Sequence, residues 1–188
     1  REHPCLLHSH PGTPPRVAQD GVFNSEVTDM FGLGKKRVKL LAPVSGTVVP
    51  LDQVPDPVFA GRMVGDGVAL APDEGGDVLA PCDGELVALF STGHAFGIRG
   101  EHGLEVLVHV GIETVALEGE GFTLLAAAGD RVRAGDPVVR FDMEVIASKA
   151  PSTLTPVVIT TGDLVKSFKP AEGRVRAGRD VLMEVELK

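Results

Sequence analysis

From residue 38 onward, apolar residues come in short Val- and Leu-rich runs, each closed after a few positions by Gly, Pro or Asp. Brief apolar or alternating runs between turn formers predict strands, and a chain built almost wholly of them predicts an all-β protein with many tight turns. GELVAL (84–89) and VLMEVELK (181–188) alternate, so each predicts a half-buried strand with its Glu and Lys facing water. Helical spacing is confined to GFTLLAAAGD (121–130) and FDMEVIASKA (141–150), which predict one or two short helical turns. LEVLVHVGIET (104–114) predicts a buried strand with one polar residue in its middle, His109.

Two segments occur twice. APVSGTVVPL (42–51) is answered by APCDGELVAL (80–89), and GDRVRAGDPVV (129–139) by EGRVRAGRDVL (172–182). The first pair places Pro and then Gly before a strand, and the second reads as two short strands around a Gly turn, a hairpin design. Such duplication predicts a compact antiparallel β-sandwich or flattened barrel assembled from related halves. Residues 1–37 stand apart, Pro-rich and without periodicity, and are read as a flexible tail or leader ahead of one domain at 38–188. The tail holds His3, His8 and His10, which are expected to be inert. Its end runs into MFGLGKKRVKL (30–40), read as a linker.

Composition narrows the function. Hydrophobic residues make up 43% and charged residues 23%, as in an ordinary folded domain. The net charge of −8 repels phosphate backbones, and eight Phe with no Trp or Tyr offer little for base stacking, which argues against nucleic acid as a partner. Cys5 and Cys82 make neither a disulfide framework nor a cysteine-built zinc site, which points to a reducing, cytoplasmic setting. No apolar run is long enough for a membrane span, and no secretory leader is recognisable.

A lone histidine on an apolar strand is most often a satisfied core residue. His94, in FSTGHAFGI, changes the balance. If RGEHG (99–103) turns an antiparallel hairpin, positions equidistant from the turn face each other, and residue 94 falls opposite about residue 109. Two imidazoles on one sheet face form a candidate site. His102 falls in the turn and is expected to be merely solvated.

Three chemistries are open to such a pair. Zinc would need a third ligand, for which Glu113 is nearest in sequence. A serine hydrolase would need a nucleophile elbow, and no G-x-S-x-G occurs. Histidine could itself be the nucleophile, taking a phosphoryl group on a neutral ring nitrogen while its neighbour donates to the phosphoryl oxygens and the Thr92 hydroxyl fixes that neighbour's tautomer.

HVGIETVALEGEGF (109–122), STGHAF (91–96), PDPVFAGRMVGDGVAL (55–70) and STLTPVVI (152–159) together resemble the glucose-type enzyme IIA of the bacterial phosphoenolpyruvate-dependent sugar phosphotransferase system. The resemblance runs from about residue 40 to the C-terminus and implies an antiparallel barrel-sandwich hybrid. It implies that His109 accepts a phosphoryl group from the histidine-containing phosphocarrier protein and passes it to the IIB domain of a glucose or N-acetylglucosamine permease. It further implies that His94 stabilises the phosphoryl group and that Thr92 orients His94. Phe59, Met63, Val64, Phe90, Glu113 and Val115 would meet the partners; Glu113 stands where the family more often has Asp. The resemblance implies that no cofactor is required. In enteric members the unphosphorylated form also inhibits sugar permeases and glycerol kinase, and a zinc shared between His94, His109 and a partner's carboxylate is implied by the same resemblance. A monomer is expected, since a carrier that meets two partners in turn needs its face free. The competing readings are a lipoyl- or biotinyl-like carrier, which would use Lys149 in IASKAPS, and a histidine-zinc protein.

Overall fold

A computed structural model of the protein describes residues 36–188. The predicted tail, with His3, His8 and His10, lies outside the described residues apart from its last two. In chain order the elements are β1 (Arg37–Leu41), β2 (Gly46–Pro50), α1 (Pro57–Ala60), β3 (Asp66–Pro72), β4 (Gly76–Leu79), β5 (Gly84–Leu89), β6 (Ala95–Arg99), β7 (Glu105–His109) and β8 (Phe122–Leu124). There follow β9 (Arg131–Val132), β10 (Pro137–Phe141), α2 (Met143–Lys149), β11 (Thr155–Ile159), β12 (Val165–Pro170), β13 (Arg174–Val175) and β14 (Val181–Leu187). The predicted linker MFGLGKKRVKL thus ends inside β1, whose residues pair with β14 from Arg37↔Glu186 onward.

The expected all-β sandwich is what forms, with every strand pairing antiparallel. An eight-stranded sheet runs β13-β2-β3-β11-β7-β6-β5-β9, and two three-stranded sheets run β1-β14-β12 and β4-β10-β8. These orders contain the duplication. Read outward from the β11/β7 contact, β3, β2 and β13 on one side answer β6, β5 and β9 on the other; β1, β14 and β12 answer β4, β10 and β8. One half is therefore continuous, β4 to β10, and it is inserted between β3 and β11 of the other.

The second repeated segment does not form hairpins. β9 joins β5 while β10 joins β4 and β8, and likewise β13 joins β2 while β14 joins β1 and β12. The Gly between the two short strands lets the chain turn a corner from one sheet to another. Gly135 (φ +91°) and Gly178 (φ +63°) hold the left-handed conformation those corners use. GFTLLAAAGD is not helical either: β8 takes Phe122–Leu124 and pairs with β10, and irregular chain follows. The other predicted helix is present as α2, with the Asp142 side chain accepting from the N–H groups of Glu144 and Val145.

Burial follows the pattern of the strands. β11, TPVVI, is buried at all five positions, as a strand covered on both faces must be. β14 alternates over most of its length, with Glu184 outward. The main core gathers Leu40, Leu70, Leu86, Phe96, Ile98, Val108, Leu182 and their neighbours between the sheets. A smaller core of Leu51, Val54, Phe59, Ala69, Ile112 and Val158 lies on the other face of the large sheet, beneath residues 51–64. β7 serves both: Val106 and Val108 enter the main core, whereas Leu107 packs against the smaller one. His109 shares the parity of Leu107.

Candidate functional site

The imidazoles meet, by a route slightly different from the one the hairpin arithmetic predicts. The β6/β7 register pairs Ala95 with His109, so His94 stands one residue beyond the expected partner position. In an extended strand, residue 94 would face away from residue 95. His94 escapes that alternation because it precedes β6, in a turn made by Gly93 at φ +73°. The turn seats against β8, since a Cβ on Gly93 would come within 2.9 Å of the Phe122 Cβ. The pairing extends one step past the strands, where the Val110 N–H donates to the His94 carbonyl at 2.7 Å. The result is two rings 5.1 Å apart at 68°.

Each ring is held at one nitrogen. Nδ1 of His109 lies 2.8 Å from the Gly111 carbonyl oxygen, which can only accept, so Nδ1 carries the proton and Nε2 of the neutral ring presents its lone pair. Nδ1 of His94 lies 2.5 Å from Thr92 Oγ1. Burial pushes the pKa of both rings below the ordinary value of 6.5. For His94 the neighbouring His109 adds to the lowering; for His109 the Gly111 carbonyl and the Asp56 carboxylate partly oppose it. Both imidazoles are thereby kept neutral.

A phenylalanine packs on each ring. Phe59 meets His109 edge to face, with centroids 5.3 Å apart, and is itself buried. It is delivered by α1, a single turn whose Asp56 cap accepts from the N–H groups of Val58 (2.7 Å) and Phe59 (3.3 Å), with Pro57 at the first helical position. Phe90 packs on His94 with centroids 5.0 Å apart yet stays 47% exposed. Met63, 77% exposed, and Val115, 57% exposed, are apolar side chains left in water, whereas Val64 is partly buried against the smaller core. Val115 lies on a 3₁₀ turn, Thr114–Leu117, entered through Glu113 in the left-handed conformation (φ +57°). Glu113 itself is exposed.

Other expected positions fall elsewhere. His102 sits at φ +58° in the exposed turn between β6 and β7. Lys149 ends α2 and pairs with Glu120 at 2.5 Å, so it is not at a hairpin tip as a prosthetic-group lysine would be. Cys82 is buried, and burial pushes its thiol up to about 12, which leaves it unreactive. Among the described residues no third His, Cys, Asp or Glu joins the two histidines in a metal-binding group, Glu113 included. His94 and His109 can offer zinc two nitrogens, and a tetrahedral site would need the rest from a partner. Gly111 escapes sequence reasoning because its contribution is a backbone oxygen; a Gly two residues after a strand histidine is the only trace.

Among the described residues no helix is long and apolar enough to cross a membrane. Residues 38–165 match the model of the family described as phosphoenolpyruvate-dependent sugar phosphotransferase system, EIIA 1. The chain is 49% identical over 162 residues to the glucose-specific EIIA component of that system from Bacillus cereus, covering 85% of this chain and 98% of the relative. It is 43% identical over 169 residues to the same component from Halalkalibacterium halodurans, covering 85% and 97%. Among solved structures, glucose permease IIA from Mycoplasma capricolum superposes with a TM-score of 0.74 at 40% identity, over 79% of this chain and 96% of the other.

Proposed function

The chain belongs to the EIIA 1 family of the phosphoenolpyruvate-dependent sugar phosphotransferase system, and from that premise we propose that it carries the phosphoryl group on Nε2 of His109. Its role is that of a phosphoryl carrier in sugar uptake. The observation that supports the finer reading is the fixed Nδ1–H of His109, which leaves one nucleophilic nitrogen beside a second imidazole, His94, itself held by Thr92.

In the step proposed, the Nε2 lone pair attacks the phosphorus of a phosphohistidine on the histidine-containing phosphocarrier protein. A new N–P bond forms as the donor's N–P bond breaks, and the donor imidazole leaves with the bonding pair. The reverse chemistry delivers the group to the IIB domain of a glucose or N-acetylglucosamine permease. Little covalent machinery is needed, because phosphoryl transfer depends on alignment and on stabilising charge over the equatorial oxygens. His94, with Thr92 Oγ1–H donating to its Nδ1, keeps a proton on Nε2 to donate to those oxygens. The buried Phe59 and the half-exposed Phe90 limit water, which would otherwise hydrolyse the phosphohistidine. The exposed Met63 and Val115, with Glu113, would meet successive cytoplasmic partners, which the chain, as a monomer, would take in turn. Regulatory targets such as sugar permeases and glycerol kinase would use the same face, with a zinc completed by the partner.

Incubation with phosphoenolpyruvate, enzyme I and the phosphocarrier protein, followed by intact mass and alkaline site mapping, tests this. The expected result is one phosphoryl group on His109, none in His109→Ala, and retained acceptance in His94→Gln with onward transfer slowed about 100-fold or more, as for loss of one oxyanion donor. No gain from an active phosphocarrier, or a phosphoryl group on His94, would refute it.

A further inference from the structure

His109 owes its free Nε2 to a single acceptor, the Gly111 carbonyl, and that carbonyl lies beyond the end of β7. Past the strand the chain turns through Gly111 at φ +72° and, two residues on, through Glu113 at φ +57°. Glycine takes that region freely, but at Glu113 such backbone persists only where its surroundings hold it. Two contacts close the turn. The Ile112 N–H donates to the Ser152 carbonyl at 2.9 Å. The Thr114 hydroxyl reaches back four residues to the Val110 carbonyl at 2.6 Å.

Thr114 is fully buried, although it opens a 3₁₀ turn whose next two residues are exposed. Its methyl lies so close to the Gly111 α-carbon that a Cβ there would come within 2.5 Å of Thr114 Cγ2. The residue whose carbonyl it grips, Val110, also donates its N–H, from the preceding peptide group, to the His94 carbonyl. One side chain thus fixes the Val110–Gly111 peptide and bears on the glycine that supplies the acceptor.

We propose that Thr114 is a positioning residue for His109: its hydroxyl, through the Val110 carbonyl, keeps the Gly111 carbonyl aligned on Nδ1–H and so holds the ring in the tautomer with Nε2 free. This rests on the reading of His109 as phosphoryl acceptor. The hydroxyl is the operative group, and the methyl gives packing.

The test is ¹⁵N-detected two-dimensional NMR of the imidazoles in the unphosphorylated full chain, paired with the rate of phosphoryl acceptance. Wild type should show the Nδ1–H tautomer at His109. In Thr114→Val, similar in size but without the donor, that tautomer should give way to a mixture, with acceptance slowed about 10- to 100-fold, as expected of a misaligned reactive group. Thr114→Ser, which keeps the donor, should retain the tautomer and stay within about threefold of wild-type acceptance, well inside that loss. Thr114→Ala, which removes the donor without placing a second methyl at the Val110 carbonyl, should follow Val and serves in its place if Val does not fold. A wild-type tautomer in folded Val or Ala variants, or a Ser variant that loses it, would overturn the proposal. Absence of phosphorylation in wild type would overturn the functional reading instead, and the tautomer measurement would still decide the role of Thr114.

Discussion

An imidazole that accepts a phosphoryl group near neutral pH must be uncharged, with one nitrogen committed and the other bare. Burial supplies the first condition at His109 and His94, and the Gly111 carbonyl supplies the second at His109. A pH profile follows. Phosphoryl acceptance should stay level as pH falls through 6.5, where an exposed histidine would already be half protonated, and should decline only below it. A single-turnover rate that halves at pH 6.5 or higher would contradict this. Stability carries the same sign. Between the lowered folded pKa values and 6.5 the unfolded chain binds more protons, so the contribution of these two rings is present above pH 6.5 and is lost as pH falls toward the folded values. The pairing of the histidines was legible in their spacing about a turn, with an error of one residue. The acceptor at Gly111 was not, since a backbone oxygen leaves no mark on residue identity.

The site depends on elements too short to stand alone. α1 has four residues, well below the length at which a helix holds itself in water, so its cap and its packing must do so. Asp56→Ala removes the acceptor for the Val58 and Phe59 N–H groups and should cost about 1 kcal/mol, read as a lower urea midpoint at unchanged slope. The loss of order should centre on Phe59 and its edge contact with His109, visible as movement of the His109 ring resonances. A variant as stable as wild type would show that the smaller core, not the cap, holds the turn. This element went unpredicted because PDPVFAG is shorter than the window in which helical period can be recognised, although Asp-Pro before an apolar pair is a capping signal. GFTLLAAAGD misleads in the opposite direction. Its Leu and Ala run fits a helix by composition, but Leu124 and Leu125 remain partly exposed, and pairing with β10 decides the structure. Local preference loses to the ladder wherever an apolar run is this short.

At the scale of the molecule, the two related halves carry one site between them. The end pair of β6/β7 is Ala95↔His109, and the corresponding end pair of β3/β11 is Asp66↔Ile159. Where one half has a half-buried histidine, the other has a buried isoleucine, and where one has His94 the other has Gly65. The repeated segments made the duplication legible, but not its nesting, because sequence does not say that β7 pairs with β11 across the insertion. That contact puts His109 at the end of a strand in the middle of an eight-stranded sheet, flanked by the fully buried β11. Stability should be graded accordingly. In native-state hydrogen exchange, the ladder amides of β7 and β11 should open only with global unfolding and show its full denaturant dependence. The two-residue edge strands β9 and β13 should exchange through local opening with little denaturant dependence. If β7 instead exchanged with the edges, the site would be remade at each encounter. Protection of β7 to the global limit would mean that the histidine geometry persists between one partner and the next, as a carrier that must accept and release the same group requires.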